Sequence, residues 1–259
     1  MSETPLLAIN ALTKYFGGVP ALADVSLNAE PGRVTALIGP NGAGKTTLIN
    51  CLTGVLVADA GSIHFDGREL CGLPAYAIAR LGIARTFQNL RLFPHLSVLD
   101  NVLCGLSGQA GDSYLQAFLR TPALRHRERR LKLTALEVLD TIGLSARVDQ
   151  AAGALSYGEQ KRLDLARAFV ADPRLVLLDE PVAGLNPDET ERVGTIIGQM
   201  RRRGATMFLV EHDMELVMSV SDQVVVLDGG QCFAEGAPDE IRRNPLVLEA
   251  YLGKISLTA

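Results

Sequence analysis

The 259-residue chain is 47% hydrophobic and carries a net charge of −4 at neutral pH, which supplies a sizeable core and argues against nonspecific nucleic-acid binding as the main activity. Its four cysteines, Cys51, Cys71, Cys104 and Cys232, form no CxxC or Cys/His pairing of the kind a zinc ribbon or redox dithiol needs. No uncharged apolar run reaches the ~18 residues of a membrane span, and MSETPLLAIN lacks the basic-then-apolar order of a signal peptide, so a cytoplasmic protein that does not itself cross a membrane is expected.

The N-terminal segment alternates at Leu6 and Ala8 and again at Val25, Leu27 and Ala29, as edge-like antiparallel strands do, and Pro31-Gly32 marks a turn. The apolar run Val34–Ile38 suits a buried parallel strand. Directly after it, GPNGAGKTT fills every fixed place of the phosphate-binding P-loop pattern with Gly39, Gly44, Lys45 and Thr46, and Pro40, Asn41, Gly42 and Ala43 complete the loop. Gly42 and Gly44 let successive N–H groups turn toward an anion, and the helix expected from about Lys45 adds its positive dipole end. Lys45 is then placed to reach the β and γ phosphates of a nucleoside triphosphate, Thr46 to bind Mg²⁺, and Thr47 to donate to the α phosphate.

Ile63 and Phe65 alternate with polar neighbours ahead of the turn Asp66-Gly67, which predicts another antiparallel strand. From about Leu73 to Arg167 the spacing is helical, as at Leu131, Ala135, Val138, Leu139 and Ile142, with few strand signals. Between Arg120 and Lys132 seven potential cations face the single acid Glu128; this is either a solvated helix face or a contact for anionic headgroups or acidic partner loops. Strands return at Leu175–Leu178, Thr206–Val210 and Val224–Leu227, so an α/β core resumes after a helical insertion. No repeat or linker divides the chain, which is expected to form one domain with subdomains.

Asp179 and Glu180 close the apolar run LVLL, at the carboxyl end of a buried strand where an open α/β sheet holds phosphates. Asp179 is expected to hold Mg²⁺ and Glu180 to polarise the attacking water, although an acidic pair in this place also serves as a helix cap. LSYGEQ, Leu155–Gln160, precedes a run with Leu163, Ala166 and Val170 at helical spacing, and puts Ser156 where a helix cap belongs. Its hydroxyl, the free N–H groups near Gly158 and the helix dipole make a second anion site, or an ordinary cap.

Taken in order, GPNGAGKTT, Gln88 in RTFQNL, LSYGE, LVLLDE, GLN at Gly184–Asn186 and His212 in VEHDM resemble the six motifs of the nucleotide-binding subunits of ATP-binding cassette (ABC) transporters. The resemblance runs over nearly the whole chain. It implies a P-loop NTPase of α/β class with an antiparallel β subdomain, a core over about 1–88 and 168–259, and a helical subdomain over about 89–167. It further implies ATP and Mg²⁺ as ligands, hydrolysis by Glu180, and a sandwich of two cassettes in which Ser156, Tyr157, Gly158 and Glu159 face the partner's ATP. Gln88 would touch Mg²⁺ or the lytic water, His212 the γ phosphate, and Phe16 the adenine, with Tyr15 as the adjacent alternative. Read singly, His212 is more often a packing or capping residue and Phe16 a core residue, and Gln88 carries no signal; their order among the motifs is what selects them. Two positions depart from the family pattern: Tyr157 stands for a glycine, which raises the question whether the backbone there must be left-handed, a conformation tyrosine resists, and Asn186 for an aspartate, which removes a charge from a loop at the implied dimer interface.

RTFQNLRLF, the tyrosine-containing signature, EPVAGLNPDET, VEHDMELVM and AEGAPDEIRRNPLVLEAYLG are most similar to subunits of branched-chain amino acid importers. The long insertion with FLRTPALRHRERR resembles one of the two related ATPases that such importers pair. The implied partners are a second ABC ATPase, paralogue or self, transmembrane permease subunits and, indirectly, a solute-binding protein, at the cytoplasmic face of the membrane. Importers of urea or amides, lipid or lipopolysaccharide exporters and soluble ABC switches share the core. Arg91, Leu92, Phe93 and Pro94 suit a groove for a short permease helix, while Leu92 and Phe93 also fit the core of the helical subdomain.

Overall fold

Two sheets organise residues 4–106, 122–245 and 247, the part of the chain described by the computed structural model. The first is antiparallel and joins β1 (Leu7–Phe16), β2 (Val19–Ala29), β4 (Ala60–Phe65) and β5 (Arg68–Glu69) in the order β2-β1-β4-β5. Val25, Leu27, Ile63 and Phe65 lie on its buried face as their alternation predicts, whereas in β1 the buried phase is Leu7 and Ile9 rather than Leu6 and Ala8, because Leu6 precedes the strand and Ala8 is only partly buried.

The second sheet joins β3 (Val34–Ile38), β6 (Ile83–Arg85), β7 (Leu175–Asp179), β8 (Met207–Val210), β9 (Gln223–Asp228) and β10 (Gln231–Gly236) in the order β10-β9-β3-β8-β7-β6. All its pairings are parallel except that of β10 with β9. Every residue of β3, β7 and β8 is buried, because both faces of a parallel sheet are covered, and that is why these strands read as unbroken apolar runs. Alternate residues serve two cores. Ala36, Val176, Leu178 and Leu209 pack with α6 (Pro187–Arg202), α7 (Met214–Val220) and the insertion helices α3 (Val98–Gly105), α4 (Pro122–Thr141) and α5 (Tyr157–Phe169). Leu37, Leu175, Leu177, Phe208 and Val210 pack with α1 (Lys45–Leu52) and the antiparallel sheet. Two shorter helices, α2 (Ala75–Arg80) and α8 (Pro238–Arg243), complete the elements used below.

The helical reading of residues 73–167 needs one correction, since β6 lies inside it as the edge strand of the parallel sheet. Thr206 falls just outside β8, with its hydroxyl accepting from the Gly32 N–H at 2.9 Å. Of the basic stretch, Arg120 and the Arg125 side chain lie outside the described residues, as do Leu246 and residues 248–253 of the C-terminal pattern. The described cations His126, Arg129, Arg130 and Lys132 are exposed on α4.

Candidate active site

Four neighbouring parallel strands, β3, β8, β7 and β6, end on one edge, and each delivers a part of the predicted constellation. β3 leads into Gly39–Thr47, β7 ends in Asp179 followed by Glu180, β8 leads into Glu211 and His212, and β6 into Thr86, Phe87 and Gln88. The register aligns them: Leu37 and Asp179 both pair with Val210, and Arg85 pairs with Leu177. Ligands of open α/β sheets bind at this carboxyl edge.

α1 begins without a side-chain cap and without an acid in its first turn, whereas Ser97, Ser156, Asn186 and Asp213 cap α3, α5, α6 and α7. Its first N–H groups therefore have no partner within the helix and stand ready for an anion. Gly44 at the cap has φ 104°, and a Cβ there would meet the Ala21 carbonyl oxygen at 2.4 Å, so glycine is required on both counts. Lys45 is buried over its own loop, donating from Nζ to the carbonyl oxygens of Gly39 (2.6 Å) and Pro40 (3.0 Å). Burial pushes its ammonium below the ordinary lysine range, and the charge of Glu180 opposes that shift.

Asp179 is buried and accepts from Arg85 Nη2 at 2.8 Å, while its own N–H donates to the Thr86 hydroxyl. Arg85 also donates from Nη1 to Asn50 Oδ1 (3.0 Å) and Thr53 Oγ1 (3.1 Å), which ties the P-loop helix to the end of β7. Glu180 has the left-handed φ of 48°, its N–H donates to the Val210 carbonyl, and its Oε2 accepts from Gln88 Nε2 at 2.7 Å. Two of the predicted catalytic residues thus meet directly. His212 exposes 64% of its side chain beside them in the edge order, and Glu211, wholly buried, accepts from the N–H groups of Val182, His212 and Asp213. Burial raises the Glu211 pKa against the pull of those three N–H groups. The Thr46 hydroxyl, Gln88 amide oxygen and Asp179 carboxylate are hard oxygen donors of the type Mg²⁺ takes. Among the described residues no cluster of three or more His, Cys, Asp or Glu makes an all-protein cage, and Mg²⁺ in phosphate sites does not use one.

Ser156 and Glu159 form a reciprocal capping box at the start of α5, with Glu159 also 3.4 Å from Arg147, so the serine is a cap as its position suggested. The backbone N–H of Ser156, ahead of the other contributions, holds the Glu159 carboxyl below its usual range. Gly158 lies against Glu189 of α6, whose Oε1 would be 2.2 Å from a Cβ. Phe16 ends β1 with half its surface exposed, and the Lys14 ammonium stands 5.8 Å from its ring centroid.

Residues 22–183 match the family described as ABC transporter, and residues 231–254 match the one described as Branched-chain amino acid ATP-binding cassette transporter. Across 251 residues, 96% of this chain and 98% of the relative, the sequence is 44% identical to the high-affinity branched-chain amino acid transport ATP-binding protein BraF of Pseudomonas aeruginosa. The chain belongs to the ABC transporter family. The corresponding LivG protein of Escherichia coli K12 is 43% identical over the same shares. This ABC transporter chain also superposes on the crystal structure of the ADP conformation of MJ1267, an ATP-binding cassette of an ABC transporter, with a TM-score of 0.84, 32% identity and coverage of 97% of this chain and 100% of that one.

Both departures from the ABC pattern have a local explanation. Tyr157 does not occupy a left-handed position; it is the first residue of α5, where any side chain is accommodated. Asn186 caps α6, accepting from the Glu189 N–H at 2.9 Å with Pro187 next in the helix, and asparagine and aspartate cap equally well. Asn186→Ala is accordingly expected to cost about 1 kcal/mol in urea unfolding, and Asn186→Asp a few tenths at most. In the ABC transporter segment after Gln88, Leu92 packs on the core, whereas Phe93 is 51% exposed and is not a core residue of the helical subdomain. A cleft of about 660 Å³ is lined by Tyr76, Arg80, Phe87 and Arg167 among others. The larger groove, about 1030 Å³, lies between α6 and α7 and touches none of the predicted site residues. Among the described residues no helix is long and apolar enough to cross a membrane.

Proposed function

We propose that this chain is the ATP-hydrolysing subunit that powers import of branched-chain amino acids from the cytoplasmic face of the membrane. The Gln88–Glu180 pair, on the same sheet edge as Lys45 and Asp179, carries the ATPase part of the reading, and the similarity to BraF carries the choice of solute. ATP would lie with its phosphates on the uncapped start of α1 and residues 39–47, and its adenine on Phe16. Lys45 would exchange its bonds to Gly39 and Pro40 for the β and γ phosphates. Glu180 takes the proton of the attacking water, Gln88 fixes that carboxylate and the water, and His212 donates to the γ phosphate as its charge grows. Thr46, Gln88 and Asp179 would hold Mg²⁺, which when bound neutralises phosphate charge.

Ser156 and Glu159 bond to each other, and Glu159 to Arg147, rather than to their own P-loop, which supports a second cassette, a paralogue or a copy of this chain, whose ATP they face. ATP binding by both chains then closes the sandwich and hydrolysis reopens it, and permease subunits fed by a solute-binding protein follow that motion. The test is uptake in cells lacking this chain. Loss of leucine, isoleucine and valine uptake, restored by the intact chain, is expected; unchanged uptake of these three with loss of urea or amide uptake would reject the substrate assignment. Phe93→Ala is expected to leave the ATPase of the isolated chain within about twofold and to lower transport about tenfold by weakening the permease contact. Transport at the wild-type rate would remove Phe93 from that contact.

A further inference from the structure

Tyr157 and Lys161 stand four residues apart on α5 and so share one face of the helix. Both reach the short stretch of chain that follows β7. Lys161 is only 3% exposed, and its Nζ donates to the backbone oxygens of Glu180 at 3.1 Å and Gln88 at 3.3 Å. The Tyr157 hydroxyl donates to the Ala183 carbonyl oxygen at 3.3 Å, and its ring edge lies 3.2 Å from where a Cβ on Gly184 would stand. The Lys161 ammonium is 5.8 Å from the Tyr157 ring centroid, which joins the two side chains into one unit.

This stretch contains the most unusual backbone of the site. Glu180 is a non-glycine residue at φ 48°, a conformation that persists only when its surroundings hold it. Its N–H is fixed by Val210 and its carbonyl by Lys161, so the peptide groups on both sides of the residue are pinned. The same ammonium pins the carbonyl of Gln88, whose side chain grips the Glu180 carboxylate. Desolvation lowers the Lys161 pKa, and the charges of Asp164, Glu211, Glu180 and Asp179 hold it up. An ammonium is costly to bury, and a neutral side chain of similar length would fill the space without that cost.

We propose that Tyr157 and Lys161 act as positioning residues, a clamp by which the helix beginning at Ser156 holds residues 180–184 and sets the Glu180–Gln88 pair for hydrolysis. The inference rests on the reading of Glu180 as the base. It makes the helix that faces the partner's nucleotide also the support of the chain's own catalytic carboxylate, so the two composite sites are coupled through α5.

The test compares steady-state ATP hydrolysis and binding of a fluorescent ATP analogue by the purified full chain and its Lys161→Met, Tyr157→Gly and Glu180→Gln variants. Lys161→Met is expected to lower kcat about tenfold or more, with KM and analogue affinity within about twofold, and Tyr157→Gly to lower kcat about threefold with the same split. A packing role alone would lower the melting temperature and leave kcat per folded molecule unchanged. Wild-type kcat in Lys161→Met, or a loss that falls on ATP affinity instead, overturns the clamp. Should Lys161→Met fail to fold, Tyr157→Gly at its half-exposed position decides by the same criterion. Wild-type turnover in Glu180→Gln overturns the base reading and the clamp with it, whereas an inactive Glu180→Gln beside a normal Lys161→Met removes the clamp alone.

Discussion

Glu180→Gln is expected to lower the hydrolysis rate by about 10²–10⁴-fold, the usual contribution of a general base, with ATP affinity unchanged. The substitution is nearly isosteric. Its amide oxygen can still accept from Gln88 Nε2, its N–H can still donate to Val210, and Lys161 can still hold its carbonyl, so the geometry of the edge survives while the basicity is lost. Because binding stays intact and turnover stops, ATP should accumulate in the closed sandwich, which light scattering reads as a dimer. Dimers of this chain alone would mean that both composite sites form from two copies. Dimers only in a mixture with a paralogous ATPase would support the paired-importer reading. Undiminished hydrolysis would remove Glu180 from the base role and leave Asp179 and His212 to be tested next.

The parts of this fold that the sequence carried openly are those whose signal is local. β3, β7 and β8 are buried on both faces and therefore apolar at every position but Thr35 and the terminal Asp179, and the two-residue turn at Asp66-Gly67 needs only its own residues to form the hairpin of β4 and β5. The P-loop and the capping boxes at Ser156 and Asn186 are likewise read within a few residues. β6 escaped because it is three residues long and ends in Arg85, and β10 because its alternating residues Gln231–Gly236 are mostly polar or small and form an edge.

Within the site, the motif residues were legible and the residues that hold them were not. Arg85 meets Asp179 across 94 positions of sequence, and neither neighbourhood hints at the other. Glu211 read only as the residue before His212, yet it is wholly buried and fastens the start of the segment after β7 to the end of β8. Lys161 was hidden by the helix rule itself. Leu163, Ala166 and Val170 mark one apolar stripe, but α5 is enclosed on several sides and buries Lys161, Asp164 and Ala168 as well. A charge in such a helix is paired and hydrogen-bonded, and the fold has to be known before its partners can be named. For Tyr157 the family pattern alone raised a question about backbone conformation that the structure answers through its place at the first turn of α5.

Lys45→Ala is expected to weaken ATP binding by about 10²–10⁴-fold and to abolish uptake. The ammonium is buried between the carbonyl oxygens of Gly39 and Pro40, so contact with a phosphate costs it little further hydration. Exchanging those neutral acceptors for phosphate oxygens makes charge-assisted bonds of about 1.5–3 kcal/mol each, and two of them account for the expected loss of affinity. The start of α1 cannot compensate, since its dipole amounts to about half a unit charge and no other basic side chain stands in its first turn after Lys45. Lys45→Arg should recover little, because the planar guanidinium is wider than the ammonium and the position over the loop is closed by Gly39 and Pro40. Equilibrium binding of a fluorescent ATP analogue measures both variants. Affinity within about threefold of wild type in Lys45→Ala would mean that the backbone N–H groups of residues 39–47 hold the phosphates by themselves, and that the lysine acts only as charge develops in the transition state.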